Sequence, residues 1–99
     1  MQDPHQVATI QQLRNFVSYT LCKQNDLEEG VFQITERVLT RSKQICGLLF
    51  CLHGPRSVKL TAVWEMEQNS VLFYGSTGER FQKTELMQEP SLANLSVID

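Results

Sequence analysis

The stretch "ICGLLFCLH" (45–53) places Cys51 two residues before His53 inside an otherwise apolar run. A thiol next to an imidazole is the starting material for nucleophilic catalysis, because the ring can take up the thiol proton. A nearby ammonium would favour the thiolate, and folding this stretch back on the one that follows predicts Lys59 opposite Cys51. The spacing argues against a reaction. Side chains two apart on a strand share a face but are rooted about 6–7 Å apart, too far for a nucleophile–base hydrogen bond without reorientation. No third residue stands ready to orient the histidine, and no glycine-rich loop adjoins it.

A zinc centre would need Cys22, Cys46, Cys51 and His53 to converge. There is no Cys-x-x-Cys knuckle, and strand alternation sets Cys46 on the face opposite Cys51 and His53. The acidic loop "DLEEG" (26–30) lacks the regularly spaced oxygen ligands of a calcium site. Glu65 and Glu67 end a hairpin with nothing apolar to raise a carboxyl pKa. "GSTG" (75–78) has no lysine following and reads as a turn, not a phosphate cradle. No catalytic residue, metal or cofactor is expected.

Composition narrows the partners. The net charge of −2 provides no general attraction to phosphate backbones or anionic membranes. Arg41 and Lys43 fall at one end of a predicted hairpin and Arg56 and Lys59 at the other, while Phe73 and Tyr74 point to opposite faces. A nucleic-acid groove with a stacking platform is therefore not expected. No apolar run approaches the ~18 residues of a membrane span, and the N-terminus lacks a basic segment followed by an apolar one. With 3 cysteines, an odd number, the chain is expected to keep free thiols in the cytoplasm or nucleus. Hydrophobic residues at 41% and charged residues at 20% describe an ordinary folded domain.

The elements that would position these groups follow from periodicity. In "DPHQVATIQQLRNFVSYTLCKQN", Asp3 and Pro4 form a helix start, with Gln6 completing a capping box. Val7, Ile10, Leu13, Val17 and Leu21 then make an apolar stripe, and Asn25 is expected as a left-handed cap. From Val31 the period becomes two. Residues 57–66, "SVKLTAVWEM", alternate most cleanly, with Val58, Leu60, Ala62, Trp64 and Met66 on one face.

Three turns set the expected registers. A loop at 54–56 pairs Phe50 with Leu60 and Leu48 with Ala62. A Gln68–Asn69 turn pairs Trp64 with Phe73, and a loop at 76–78 pairs Phe73 with Phe81. Residues 31–40 fit a strand better than a helix because of their Val, Ile and Thr content and Gly30, although Glu36 interrupts the inward face.

The predicted fold is α+β: an N-terminal amphipathic helix packed on one face of a four- to five-stranded antiparallel β-meander. Residues 1–86 form a single domain, and 87–99 a C-terminal tail expected to be flexible, although Leu92, Leu95, Val97 and Ile98 are apolar enough to fold back. The second face should read polar if it meets water. Instead it carries Leu49, Cys51, Val63, Leu72 and Tyr74. These are the candidate partner-binding residues of a non-enzymatic protein–protein interaction module, a small adaptor or regulatory subunit that binds a protein partner or a second copy. The alternative is a small thiol-dependent or ligand-binding activity around Cys51, His53 and Lys59. The inward assignment is testable: Trp64→Ala should lower unfolding free energy by about 3–5 kcal/mol, and thermal unfolding equal to wild type would overturn it.

Overall fold

In the computed structural model, which describes residues 6–92, helix α1 spans Ile10–Gln24. It begins later than the sequence signal at Asp3 and Pro4, which lies outside the described residues. Thr9 is the N-cap: its hydroxyl accepts from the Gln12 backbone N–H at 3.0 Å, and Gln12 Oε1 accepts from the Ala8 N–H at 2.7 Å. A Thr-x-x-Gln cap related to the capping box, its return bond taken from the residue before the N-cap, thus forms six residues downstream of the expected one. The reason lies in pairing. Thr9 is extended and makes a parallel bridge with Ser91, so the preceding chain is held out of the helix. Val7 is nevertheless fully buried from this extended approach.

At the other end the left-handed residue is Asp26, with φ 54°, not Asn25, with φ −113°. Asn25 caps in another way, its side-chain N–H donating to the Leu21 carbonyl at 2.8 Å.

Five strands follow: β1 Gln33–Arg41, β2 Gln44–His53, β3 Lys59–Glu65, β4 Ser70–Tyr74 and β5 Arg80–Glu85. They form one antiparallel sheet in the order β1-β2-β3-β4-β5. The helix lies against one face. Ile10, Leu13, Phe16, Val17 and Leu21 from α1 meet Leu48, Phe50, Leu52, Leu60, Ala62, Trp64, Val71 and Phe73 from the sheet, all buried. Phe16 meets Phe73 edge-on, at 5.8 Å between ring centroids. Glu36, the polar interruption on β1, belongs to this face too. Its carboxylate accepts from Arg14 Nε at 2.6 Å and from the second guanidinium N–H at 2.9 Å. The strand therefore keeps a carboxylate on its helix side because the helix supplies a bidentate partner at the rim.

Two registers differ from the sequence expectation, each by two residues. Leu48 lies opposite Trp64 rather than Ala62, and Phe50 opposite Ala62 rather than Leu60. The loop occupies Pro55–Ser57 instead of 54–56, since the Gly54 N–H bonds the Val58 carbonyl at 2.8 Å and extends the ladder by one pair. Between β3 and β4 the connection is four residues long, 66–69, so Trp64 meets Val71 and Ala62 meets Phe73. Asn69 closes it with φ 50° and accepts from Trp64 Nε1 at 2.9 Å. Both shifts are even, so every side chain keeps its predicted face.

The β4–β5 loop closes as expected at Gly75 and Glu79, with Gly78 at φ 84°. A bulge next to it places Gln82, not Phe81, opposite Phe73. Phe81 still reaches the aromatic cluster, with its ring 6.0 Å from Phe73.

Beyond β5, Leu86 is buried and Pro90 lies inside the fold, and the Ser91 N–H donates to the Ala8 carbonyl at 3.0 Å. Leu92 packs on the core. Residues 93–99, including Leu95, Val97 and Ile98, lie outside the described residues.

At Gly47 the backbone of β3 leaves no room for a side chain. A Cβ there would overlap the backbone carbonyl oxygen of Trp64, which cannot swing away as a side chain would. Gly47→Ala should therefore cost about 3 kcal/mol by forcing the two strands apart, measurable as a lowered denaturant midpoint.

Candidate functional site

The pleat and the observed pairings assemble the second face into rows. Arg37, Leu49, Val63, Leu72 and Lys83 cross the sheet in one row, and Thr35, Cys51, Thr61, Tyr74 and Arg80 in the next. Toward one end of the strands lie Leu39, Gly47, Glu65, Ser70 and Glu85; toward the other lie Gln33, His53 and Lys59. All five sequence-predicted contact residues, Leu49, Cys51, Val63, Leu72 and Tyr74, therefore fall in the two central rows. Each is half-buried by its strand neighbours and open above. Helix α1 sits on the other face, and no described element covers this one.

Leu39 belongs to the same face and escaped the sequence reading. It lies on β1, where Glu36 obscured the alternation, but its odd position matches Arg37 and Thr35 and is the signal that locates it. Leu39, Ile45 and Val63 line a depression of about 360 Å³ together with Arg41, Glu65 and Glu67. The depression continues the apolar band toward the β1–β2 turn.

The thiol–histidine arrangement changes with the register. Lys59 stands opposite His53, not Cys51. Cys51 has Thr35 and Thr61 as its cross-strand neighbours, so no cation is paired with the sulfur. The His53 ring is held by Thr35, with Nε2 3.0 Å from the hydroxyl oxygen. That contact engages one ring nitrogen with Thr35, the residue opposite Cys51 on β1. Cys22, Cys46 and Cys51 are free thiols, and among the described residues no three His, Cys, Asp or Glu side chains stand together as a metal site. No helix among the described residues is long and apolar enough to cross a membrane.

Cys22 is of a different kind from the other two thiols. Burial in the helix–sheet core pushes its pKa up, the Glu29 carboxylate adds to this, and a hydrogen bond with Ser18 opposes it. Because its folded pKa lies above the unfolded one, Cys22 contributes stability that is whole below the ordinary thiol pKa of ~8.5 and is lost as pH rises from there through the raised folded pKa. A chromogenic disulfide reagent should label the half-buried Cys46 and Cys51 in the native protein and reach Cys22 only on unfolding; rapid native labelling of all three thiols would contradict the packing of α1. Comparison with protein-family models, with curated proteins and with solved structures finds no match, so what this face does must be argued from its geometry.

Proposed function

We propose that the chain is a non-enzymatic protein–protein interaction module that works through the uncovered face of its sheet. The observation that carries this reading is the continuous apolar band Leu39, Leu49, Val63, Leu72 and Tyr74, on the side of the sheet that α1 leaves bare. A band of this kind, rimmed by Arg37, Arg80 and Lys83, has the make-up of a contact surface: apolar at the centre and charged at the edge. Tyr74 adds an aromatic anchor with a polar tip, a residue type that contributes heavily to interfaces.

Rigidity supports the same reading. Leu49, Val63, Leu72 and Tyr74 sit on β2, β3 and β4, the three inner strands, each paired on both sides and backed by the core, and Leu39 lies beside them on the edge strand β1. A surface held this way loses little conformational entropy on binding. The role is that of a small adaptor or regulatory subunit, recognised by shape and apolar area.

Tyr74→Asp tests it. A carboxylate in the centre of the band should reduce association by at least ~100-fold while leaving thermal unfolding within ~1 kcal/mol of wild type. Cys51→Ser should leave association within a few-fold. Unchanged association in Tyr74→Asp, measured by solution mass and by recovery of bound protein against wild type, would overturn the reading. A loss confined to Cys51→Ser would favour a thiol-dependent activity instead.

A further inference from the structure

The outward-facing residues of β3, the central strand, read Lys59, Thr61, Val63, Glu65. A cation stands at one end and a carboxylate at the other, ~20 Å apart at the rise of an extended strand, with two nearly isosteric side chains between them. Reversing the strand end for end exchanges like positions for complementary ones. Lys59 then lies over Glu65, and Thr61 over Val63. His53 and Arg56 accompany Lys59 at its end, with Glu79 in the β4–β5 turn, while Glu67 and Glu85 accompany Glu65, with Arg41 and Lys43 in the β1–β2 turn.

We infer that the occupant of the uncovered face is a second copy of this chain, packed sheet on sheet about a two-fold axis that runs between the sheets and perpendicular to the strands. This rests on the reading of that face as a contact surface and names its partner. The two-fold lays each strand across its own counterpart with ends exchanged. Both Lys59–Glu65 pairs form, one at each end of the interface. The row Leu49, Val63, Leu72 of one copy meets the row Cys51, Thr61, Tyr74 of the other. A two-fold parallel to the strands is excluded by charge, because on the central strand it would stack Glu65 on Glu65 and Lys59 on Lys59.

In the favoured arrangement Arg80 approaches Lys83 of the second copy. That contact lies at the β5 rim, where both side chains are exposed and solvent screens them. Arg41 and Lys43, in the β1–β2 turn at the Glu65 end, meet no basic partner, since the facing end of β1 carries Gln33 and Val31.

Area sets the strength. Five strands at ~4.8 Å spacing and ~20 Å of length project roughly 500 Å² per copy, near the lower limit for a specific interface. Such a dimer is reversible and concentration-dependent, not obligate. Aligned sheet packing at about −30° is the geometry two twisted sheets adopt when their apolar faces interdigitate.

The test is solution mass by light scattering over a concentration series of the full chain, for wild type, Lys59→Glu, Glu65→Lys and the double variant, with thermal unfolding to confirm that each is folded. Lys59 is exposed and Glu65 half-buried on the open face, so both reversals spare the core. Each single reversal converts two attractive contacts into two repulsive ones and should weaken dimerisation at least ~10-fold; the double variant should restore it. Single variants that dimerise like wild type while Tyr74→Asp does not would overturn the two-fold arrangement and leave the contact face standing. A wild type that stays monomeric at every concentration would overturn the second copy as occupant. A dimer that survives Tyr74→Asp would overturn both the arrangement and the contact face.

Discussion

A pleated strand sends alternate side chains to opposite faces, and this fold has one helix with which to cover a five-stranded sheet. Everything else follows from that mismatch. The helix face of the sheet becomes the core, with Trp64, Phe50 and Phe73 fully buried beneath α1. The other face must be either polar or in contact with something. Its central rows are half-apolar, and among the described residues no element covers them.

The core is closed at its ends by backbone devices as well as by the burial of Val7 and Leu86. Trp64 anchors the β3–β4 connection through Asn69, whose left-handed backbone lets four residues make the turn while its side chain satisfies the indole N–H. The β1–β2 turn runs through Ser42 and Lys43, both with positive φ, and the β2–β3 loop through Arg56 and Ser57, likewise positive. These four turn residues in the left-handed region carry a modest local strain, which the ladders on either side hold in place. The returning chain after β5 bonds the residue before the helix cap through Ser91 and Ala8, so both ends of the described chain meet beside the start of α1.

The same pleat that builds the core also separates the chemistry-bearing groups. Cys51 and His53 share a face but are held parallel by the strand, and the ring is engaged by Thr35 on the neighbouring strand. Lys59 completes a row with His53 and Gln33 at the sheet's edge. What remains at the centre of that face is half-buried apolar surface: Leu49, Val63, Leu72 and Tyr74.

The division between sequence and tertiary structure is a division between parity and register. Alternation is a property of the chain itself, so the sequence alone determined the α+β class, the meander, the inward set around Trp64 and the outward set around Tyr74. It also placed a strand at 31–40 despite Glu36, because β-branched content outweighed one polar position. Register was decided elsewhere. It depended on Gly54 and Val58 extending a ladder, on Asn69 capturing the Trp64 indole and on a bulge that fits Phe81 against Phe73, and each of these is a contact formed only once the strands are packed. The helix start was likewise set by the distant Ser91 rather than by the nearby Asp3 and Pro4 signal. Shifts of two residues cost the prediction its cross-strand neighbours, Lys59 beside Cys51 among them, and left the faces of β2, β3 and β4 intact, because an even slip preserves the side of the sheet to which each side chain points; on β5 the one-residue bulge instead sets Lys83 and Glu85 opposite Leu72 and Ser70, on the uncovered face.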